Sequence, residues 1–204
     1  MNSKIKRLCV FSGSSPGKGA AYRTAAIELG QLLVKNDIQL VYGGGDVGLM
    51  GVIADSVMSA GGKVIGVIPE FLARKELAKN EVSELHIVQS MHERKALMSD
   101  LADGFIAMPG GIGTFEELFE VLTWQQLGIQ AKPCALLNID NYFRHLLLLL
   151  DHAVAELFLK PVHRDMLLLG NSAAEVLQQL LNFEHSYVDK WIHQDAQVDA
   201  NKIR

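Results

Sequence analysis

The segment PGGIGTFEE, residues 109–117, joins a glycine-rich turn to the expected start of a helix. Gly110, Gly111 and Gly113 have no side chains to cover the backbone amides there, so N–H donors and the positive end of the helix dipole can converge on an anion. Thr114 would either cap the helix or donate its hydroxyl to a ligand. The segment therefore predicts a phosphate-binding helix N-terminus.

The two carboxylates of this segment, Glu116 and Glu117, have two interpretations. Acidic residues in a first turn also simply complement the helix dipole. On an ideal helix, the apolar stripe facing the core would consist of Phe115, Leu118, Phe119 and Leu122. Glu117 would point away from that stripe, beside Val121 and Trp124, where a carboxyl group against partly apolar surface can do acid or base chemistry. Glu116 would lie nearer Thr123. We expect at least one of the two acids to be functional.

The segment SMHERKALMSD, residues 90–100, places two basic residues within an apolar helix face. Arg94 and Lys95 would share one broad face with Met91, Met98 and Leu101. Both side chains could extend along apolar surface to reach solvent. Otherwise they present charge at the rim of a site, where arginine suits bidentate recognition of phosphate or carboxylate and lysine acts as a point charge. Together with the glycine-rich turn they would form an anion pocket.

A second glycine-rich segment, YGGGDVGLMG at residues 42–51, contains G-x-G-x-x-G as Gly43, Gly45 and Gly48. This pattern between a strand and a helix is typical of a dinucleotide-binding turn. Here it would follow the second strand rather than the first, and the acid available for the ribose, Glu70, stands beside a proline. A structural turn and a contact from Gly45 to the phosphate or ribose of a mononucleotide are the alternatives.

A third segment, FSGSSPGKG at residues 11–19, does not match the phosphate loop of NTPases. Ser12 stands where the first glycine of G-x-x-x-x-G-K-[ST] belongs, and Gly19 where the Ser or Thr belongs. One alternative is a helix start capped by Ser14 or Ser15. The histidines lack H-E-x-x-H spacing, so we expect no protein-built metal site. We expect no serine nucleophile elbow, and this expectation favours acid-assisted hydrolysis.

The hydrophobic pattern predicts the elements that position these segments. Short apolar runs, the candidate strands, occupy residues 7–11, 38–42, 63–68, 85–88, 104–108 and 134–139. Helical patterns occupy residues 18–36, 48–60, 91–101, 114–127, 141–157 and 172–182. This alternation predicts an α/β fold, a Rossmann-like doubly wound parallel sheet with helices on both faces. Ligands of such sheets bind beyond the carboxyl ends of the strands, so the glycine-rich segments would open on one rim.

The length of 204 residues predicts a single nucleotide-binding domain, 1–204, with 161–204 as a C-terminal helical extension or tail. Hydrophobic residues at 49% and charged residues at 21% exclude a disordered chain. A net charge of -4 argues against a nucleic acid polymer or an anionic membrane as the main partner. The leucine run at 146–150 is far shorter than the ~20 residues that span a bilayer, and we interpret it as a buried helix.

The two cysteines, Cys9 and Cys134, each lie within an apolar run. This placement indicates buried, reduced thiols rather than a disulfide framework, and therefore a cytoplasmic location. The first apolar run, LCVF, is too short for the core of a signal peptide, so we expect no export signal.

Four motifs, YGGGDVGLMG, VIPEFLARKEL, MHERKALM and PGGIGTFEE followed by VLTWQQLG, together resemble the LONELY GUY (LOG) family of nucleoside 5'-monophosphate phosphoribohydrolases. The likeness covers roughly residues 7–160 and includes the complete P-G-G-x-G-T-x-x-E signature, which ends at Glu117. Members of this family were long mislabelled as lysine decarboxylases. The resemblance implies hydrolysis of the N-glycosidic bond of a nucleoside 5'-monophosphate, typically one with an N6-substituted adenine of the cytokinin type, to free base and ribose 5-phosphate.

The resemblance also implies the site residues. By matching motif positions, Arg94 and Glu117 would be the catalytic pair, with Arg94 binding the 5'-phosphate or assisting the departing base. The substrate would be held by Glu76, Arg94, Lys95, Gly111, Ile112, Gly113, Thr114, Phe115, Glu116, Glu117 and Thr123, with Gly13 and Ser14 nearby. The resemblance implies no metal or other cofactor.

The family resemblance implies a homodimer or higher even oligomer whose site includes both chains, consistent with an exposed patch at Val121 and Trp124. Two other functions stay open. A Rossmann-like carrier could bind a nucleotide or cofactor without cleaving it, and a decarboxylase would need a lysine that forms a Schiff base with pyridoxal phosphate.

Overall fold

The computed structural model describes residues 5–79 and 81–184, and these contain a seven-stranded parallel sheet. Its strands are β1 (Arg7–Phe11), β2 (Gln39–Tyr42), β3 (Val64–Pro69), β4 (Glu84–Val88), β5 (Gly104–Ala107), β6 (Cys134–Leu137) and β7 (Leu167–Gly170). Their order across the sheet is β4-β3-β2-β1-β5-β6-β7. The central strands are nearly continuous in buried apolar residues, as parallel strands covered on both faces require.

Helices cover both faces of the sheet, which confirms the predicted doubly wound α/β fold. They are α1 (Ala20–Lys35), α2 (Gly48–Ser59), α3 (Glu70–Leu72), α4 (Met91–Leu101), α5 (Ile112–Gln126), α6 (Arg144–Ala155), α7 (Pro161–Arg164) and α8 (Ala173–Leu181). A π-helical turn, Ala73–Leu77, follows α3, and a 3-10 turn, Ile139–Asn141, precedes α6. One hydrophobic core lies under α1, α2 and α8, and a second lies under α4, α5 and α6.

The winding of the sheet reverses between β1 and β5. The chain adds β2, β3 and β4 toward one edge, then crosses back through α4 to place β5 on the other side of β1. The carboxyl ends of β1 and β5 therefore lie side by side, and the Gly13 N–H donates to the Pro109 carbonyl across the gap at 3.1 Å. Open α/β sheets bind their ligands at this kind of crevice.

The sequence does not predict β7. It assigns the stretch from residue 161 to a helical extension or tail, whereas Leu167–Gly170 pairs with β6 and α8 packs into the core beside α1. A four-residue run of LLLG is too short for periodicity to separate a strand from a helix. Residues 185–204, the remainder of the predicted extension, lie outside the described part of the chain.

The leucine run at 146–150 belongs to α6, but the prediction of a buried helix is wrong. Leu148 and Leu149 are 53% and 60% exposed, while the other three leucines pack partly against the second core. Five consecutive leucines point to all sides of a helix, and among the described residues only one side of α6 packs against a core. Leu157 and Phe158, just after α6, are also exposed, so this end of the molecule presents an apolar surface.

Cys9 on β1 and Cys134 on β6 are free and fully buried, as predicted. Burial raises the pKa of both thiols, that of Cys134 to about 12, so neither is a reactive thiolate at neutral pH. Within the described residues, no helix is long and apolar enough to cross a membrane.

Candidate active site

Arg94 and Glu117 form an ion pair inside the protein. The Arg94 Nη1 donates to Glu117 Oε1 at 3.0 Å, and the two residues are only 8% and 9% exposed. Arg94 lies in the first turns of α4 and Glu117 in the second turn of α5. Because α4 crosses the sheet from the outer strand β4 to the central strand β5, its first turns pass above the carboxyl ends of β2 and β3. The structure therefore brings together the two residues that the resemblance pairs as catalytic.

Two backbone carbonyls hold the guanidinium of Arg94 in place. Its Nε donates to the Val67 carbonyl at 3.1 Å, and its Nη2 donates to the Gly43 carbonyl at 3.2 Å. A Cβ on Gly43 would lie 1.9 Å from Nη2, so only glycine leaves room for the guanidinium at that position. With three of its five N–H groups bound to the protein, Arg94 presents a fixed charge to Glu117.

Glu117 points inward, against the prediction from the helical wheel. The buried residues of α5 are Thr114, Glu117, Leu118, Val121 and Gln125, and Phe119 is 38% exposed. The apolar stripe assumed from the sequence is therefore rotated, because Arg94 supplies the opposite charge that lets a carboxylate occupy the buried face. The predicted exposure of Val121 is wrong for the same reason, since Val121 is 3% exposed.

The start of α5 also differs from the prediction. The helix begins at Ile112, two residues before the predicted start, so Glu116 and Glu117 are not in its first turn. The interpretation that these acids merely complement the helix dipole is therefore wrong, because that effect falls off within the first turn. The position of Glu117 depends on Arg94 rather than on the dipole.

Burial dominates the electrostatics of Glu117. Removal from water raises the pKa of its carboxyl group above the ordinary value, and the Arg94 guanidinium opposes this without cancelling it. Glu116 and Glu120 add negative charge nearby and also raise the pKa, while Lys95 lowers it. A carboxyl group with a raised pKa in a protected position is suited to accept and return a proton.

Lys95 contacts two other carboxylates of α5. Its Nζ donates to Glu116 Oε1 and, at 3.0 Å, to Glu120 Oε1, and its side chain is 11% exposed. Burial lowers the pKa of this ammonium group, but the two carboxylates outweigh burial and raise it above the ordinary value. Arg94 and Lys95 thus join α4 to α5, and extension of both side chains to solvent, the alternative considered from the sequence, is wrong.

The N-terminus of α5 is open, as a phosphate-binding turn requires. Gly111 is its N-cap and no side chain caps it. Thr114 does not cap the helix. Thr114 is 4% exposed and packs against Gly110. A Cβ on Gly110 would lie 2.1 Å from the Thr114 hydroxyl oxygen. A Cβ on Gly111 or Gly113 would meet nothing within 4 Å, so space remains in front of the first amides.

A cavity of about 300 Å³ lies beside this turn, in the crevice between β1 and β5. Its lining includes Gly13, Ser14 and Ser15 after β1, Gly110 and Gly111 after β5, and the rings of Tyr22 and Tyr142. Neither Ser14 nor Ser15 caps α1, whose N-cap is Gly19, so the capping interpretation is wrong. The predicted contacts Gly13, Ser14 and Gly111 therefore border one cavity.

The G-x-G-x-x-G segment is a structural turn in this protein. Gly45 is buried and forms an isolated β-bridge with Ala78, and the Lys79 N–H donates to the Gly44 carbonyl at 3.0 Å. Gly48 has a φ of +59°, and a Cβ there would lie 2.3 Å from the Ser14 backbone. Chain segments fill the space that a dinucleotide pyrophosphate would need. Gly45 is buried and paired with Ala78, and its contact with substrate stays a prediction.

Thr123, a predicted substrate contact, lies apart from the ion pair. Thr123 is exposed on the outer side of α5, where its hydroxyl donates to the Phe119 carbonyl at 2.6 Å. It lines a separate cavity of about 100 Å³ with Leu150 and Leu159. Glu76 belongs to the π-helical turn, and its side chain lies outside what the structure describes.

Two further residues at the site, Lys79 and Tyr142, were not predicted from the sequence. Lys79, 6% exposed, binds the carboxylates of Asp46 and Asp55 and so ties the segment after the π-helical turn to the glycine-rich turn. Tyr142 donates its hydroxyl to the Gly110 carbonyl. Tyr142 follows the predicted sixth strand. Its position after the carboxyl end of that strand could have marked it as a candidate site residue. Nothing in the sequence marks Lys79, because its partners come from another part of the chain.

A family model described as "Possible lysine decarboxylase" matches residues 50–180. The cytokinin riboside 5'-monophosphate phosphoribohydrolase LOG7 of Arabidopsis thaliana is 49% identical over 91% of this chain and 85% of its own length. The probable cytokinin riboside 5'-monophosphate phosphoribohydrolase LOGL9 of Oryza sativa subsp. japonica is 51% identical over 87% of this chain and 78% of its own length.

Solved structures with the same fold are more distant in sequence. The molybdenum cofactor binding protein of Rippkaea orientalis superposes with a TM-score of 0.63 at 20% identity, covering 86% of this chain and 95% of that protein. The molybdenum cofactor carrier protein of Chlamydomonas reinhardtii gives 0.63 at 21% identity, covering 86% and 98%. At this identity the likeness concerns the fold alone.

Proposed function

Because this chain belongs to the LOG family of cytokinin riboside 5'-monophosphate phosphoribohydrolases, we propose that it hydrolyses the N-glycosidic bond of adenosine 5'-monophosphates, N6-substituted ones in particular. The products are the free base and ribose 5-phosphate. The observation that carries this proposal is the buried Arg94–Glu117 ion pair one turn away from an uncapped helix N-terminus. The substrate needs these two features, a carboxylate near the ribose and an anion site near the phosphate.

Glu117 acts on the anomeric carbon. As the bond from this carbon to the base breaks, its electron pair leaves with the base and positive charge develops on the ribose, which a nearby carboxylate stabilises. A water molecule then adds its oxygen to the anomeric carbon and gives a proton to Glu117. The departing base takes up one proton, directly from Glu117 or through solvent, so the carboxylate is ionised again and water supplies both groups. Its raised pKa makes the Glu117 carboxyl group a better proton acceptor than an ordinary glutamate.

Arg94 positions Glu117. The sequence leaves two roles open for this residue, binding of the 5'-phosphate or assistance to the departing base. The Arg94 side chain is only 9% exposed, and its guanidinium already donates to Glu117, Val67 and Gly43. It is therefore poorly placed to bind a phosphate as well. We therefore propose that Arg94 orients the Glu117 carboxylate and partly offsets the free-energy cost of burying its charge.

The N-terminus of α5 binds the phosphate. Gly111, Ile112 and Gly113 offer backbone N–H groups, the helix dipole adds positive potential, and Gly13 and Ser14 border the adjoining cavity. Binding energy from the phosphate, which takes no part in bond breaking, orients the ribose against Glu117. Thr114 packs against Gly110, and Phe115 stacks on the ring of Tyr142. Lys95 and Glu116, which the resemblance also implies as substrate contacts, bind one another.

We further propose a cytoplasmic homodimer, or a higher even oligomer, in which each site uses residues of both chains. The apolar surface that α6 presents, with Leu148, Leu149, Leu157 and Phe158 exposed, supports association. The place of Thr123 on the outer side of α5 supports a contact to a neighbouring subunit's substrate rather than to the ion pair of its own chain.

The two other functions have weaker support. The carrier hypothesis has only the shared fold of the molybdenum cofactor proteins, and simple carriage gives no reason to bury an arginine–glutamate pair. A decarboxylase would need an uncharged lysine to form a Schiff base. Lys79 and Lys95, the lysines at the site, are each held as ammonium ions by two carboxylates, which raise their pKa values despite burial.

Product analysis tests the proposal. Adenosine 5'-monophosphate and its N6-isopentenyl analogue are incubated with the protein, and base, ribose 5-phosphate and intact nucleotide are quantified by chromatography. Equal amounts of base and ribose 5-phosphate are expected. Recovery of intact nucleotide alone would favour the carrier, and release of carbon dioxide from lysine in the presence of pyridoxal phosphate would favour the decarboxylase.

A further inference from the structure

The chain reaches Tyr142 through an unusual turn. Asp140 and Asn141 have φ values of +51° and +56°, so two consecutive residues with side chains occupy the left-handed region. Asn138 holds both ends of this turn. Its N–H donates to the Gly170 carbonyl at 2.8 Å, and its side-chain oxygen accepts from the Phe143 N–H at 2.9 Å. Such a conformation persists only where the surrounding structure fixes it, and here it brings the Tyr142 ring to the crevice.

The Tyr142 hydroxyl donates to the carbonyl of Gly110, the residue before the N-cap of α5. A peptide unit is planar, so fixing the Gly110 carbonyl also fixes the direction of the Gly111 N–H. The Gly110–Gly111 peptide joins two residues without a Cβ, and glycine adopts a wider range of backbone conformations than other residues. A Cβ on Gly111 would meet nothing within 4 Å, so neighbouring atoms do not fix this residue by packing.

Ring contacts hold Tyr142 independently of its hydroxyl. The ring stacks on Phe115 with a centroid separation of 6.4 Å and meets Phe143 edge to face at 5.0 Å. It also contacts the Tyr22 ring at 6.1 Å, and the two tyrosines together wall the cavity beside the turn. Removal of the hydroxyl alone should therefore leave the ring in place.

We propose that Tyr142 is a positioning residue for phosphate recognition, whose hydroxyl fixes the Gly110–Gly111 peptide so that the first amides of α5 are oriented for the 5'-phosphate before substrate binds. This inference rests on the proposed function, since it concerns the same turn. It deepens that function by making recognition of the phosphorylated sugar depend on a side chain that follows β6, outside the P-G-G-x-G-T-x-x-E motif.

The test is Tyr142→Phe, which deletes one hydrogen bond and keeps the ring. We expect KM for adenosine 5'-monophosphate to rise about 5- to 10-fold with kcat changed less than twofold, the usual range for one lost hydrogen bond. Competitive inhibition by ribose 5-phosphate should weaken by the same factor, whereas inhibition by adenine, which has no phosphate, should not change. Tyr42→Phe, the same chemical change in the buried strand β2, serves as the matched control and should behave as wild type.

Unchanged inhibition by ribose 5-phosphate in Tyr142→Phe would overturn the inference, as would an equal loss for adenine and ribose 5-phosphate. Calorimetric titration with inorganic phosphate supplies a readout that does not need turnover. A wild-type protein that binds phosphate through Tyr142 but releases no base would support the inference and contradict the proposed function. If the wild-type protein releases base and Tyr142→Phe changes neither the rate nor KM, the result would support the proposed function and contradict the inference.

Discussion

Arg94 and Glu117 reach one another from two different helices, with 3.0 Å between Nη1 and Oε1, and each is less than 10% exposed. The pair connects the α4 crossover to the helix whose N-terminus faces the crevice between β1 and β5. An ion pair at this depth is not an efficient way to stabilise a protein, because desolvation of both charges offsets their attraction. Its position one turn from the proposed anion site supports a chemical role for the pair.

Replacement of Arg94 by lysine should lower kcat by about 10²–10³-fold, because an ammonium group cannot bind Glu117 and two carbonyls in one plane. Replacement by methionine leaves Glu117 buried without its partner and should also destabilise the protein by roughly 3–5 kcal/mol. Steady-state kinetics and urea unfolding measure the two effects. Arg164→Lys, at the more exposed pair with Asp151 (2.8 Å), is the matched control and should change neither much. Wild-type kcat in Arg94→Lys would contradict the assigned role.

Activity should fall as the pH is lowered, and the midpoint of this fall should lie above the usual pKa of a glutamate side chain. Glu117 must be ionised to accept a proton, and burial raises the pKa of its carboxyl group. As pH falls, kcat/KM should therefore decline with a midpoint above about 4.3, the usual value for glutamate. The substrate phosphate titrates near pH 6 in every variant, so the limb is assigned by comparing wild type with Glu117→Asp on the same substrate. A midpoint at or below the usual value in wild type would show that Glu117 is not the titrating base.

Gly43→Ala should displace the guanidinium of Arg94, because the new methyl group would lie 1.9 Å from Nη2. We expect kcat/KM to fall about 10- to 100-fold, since displacements on this scale disturb catalytic geometry. Circular dichroism should show an intact fold. Gly19→Ala is a suitable control, because its Cβ would have its nearest neighbour at 4.0 Å. Full activity in Gly43→Ala would mean that Arg94 need not keep its observed position.

Lys79→Met should loosen the segment that packs on the glycine-rich turn. The lysine binds Asp46 and, at 2.9 Å, Asp55, and it directly follows Ala78, which bridges to Gly45. We expect a loss of roughly 1–2 kcal/mol in the free energy of unfolding. We also expect a rise in KM, because the same segment carries Glu76, which the family resemblance implies as a substrate contact. Lys35→Met, on the exposed end of α1, provides the comparison in denaturant titration. Equal stability and equal KM for the two variants would refute the anchoring role of Lys79.

The sequence predicts the framework and much of the site for identifiable physical reasons. The strands bearing the glycine-rich turns are continuous apolar runs, and PGGIGTFEE carries its chemistry in one local segment, so β5, α5 and the open N-terminus follow from pattern alone. The inward orientation of Glu117 does not, because it depends on a charge 23 residues away in sequence. A helical wheel assumes that the apolar residues face the core. The assumption fails here because Arg94 provides a buried partner for the Glu117 carboxylate.

Other features depend on tertiary contacts without a local signal. β7 is a strand because β6 offers it a partner, not because LLLG differs from a helical run. The role of Tyr142 depends on a left-handed turn at Asp140 and Asn141. Both residue types tolerate this conformation, but the local sequence does not show that the turn brings the next ring to Gly110. Gly45 appears in a ligand-binding pattern but is covered by Ala78, a residue distant in sequence.

The most direct test of the central claim is a comparison of wild type with Glu117→Gln in single-turnover reactions with adenosine 5'-monophosphate, alongside a calorimetric titration with ribose 5-phosphate. Glu28→Gln, an exposed acid on α1, makes the same chemical change elsewhere. We predict that Glu117→Gln binds ribose 5-phosphate within about threefold of wild type but releases base at least about 10³-fold more slowly, while Glu28→Gln matches wild type. Release of base at the wild-type rate by Glu117→Gln would contradict the claim that this buried carboxylate performs the chemistry.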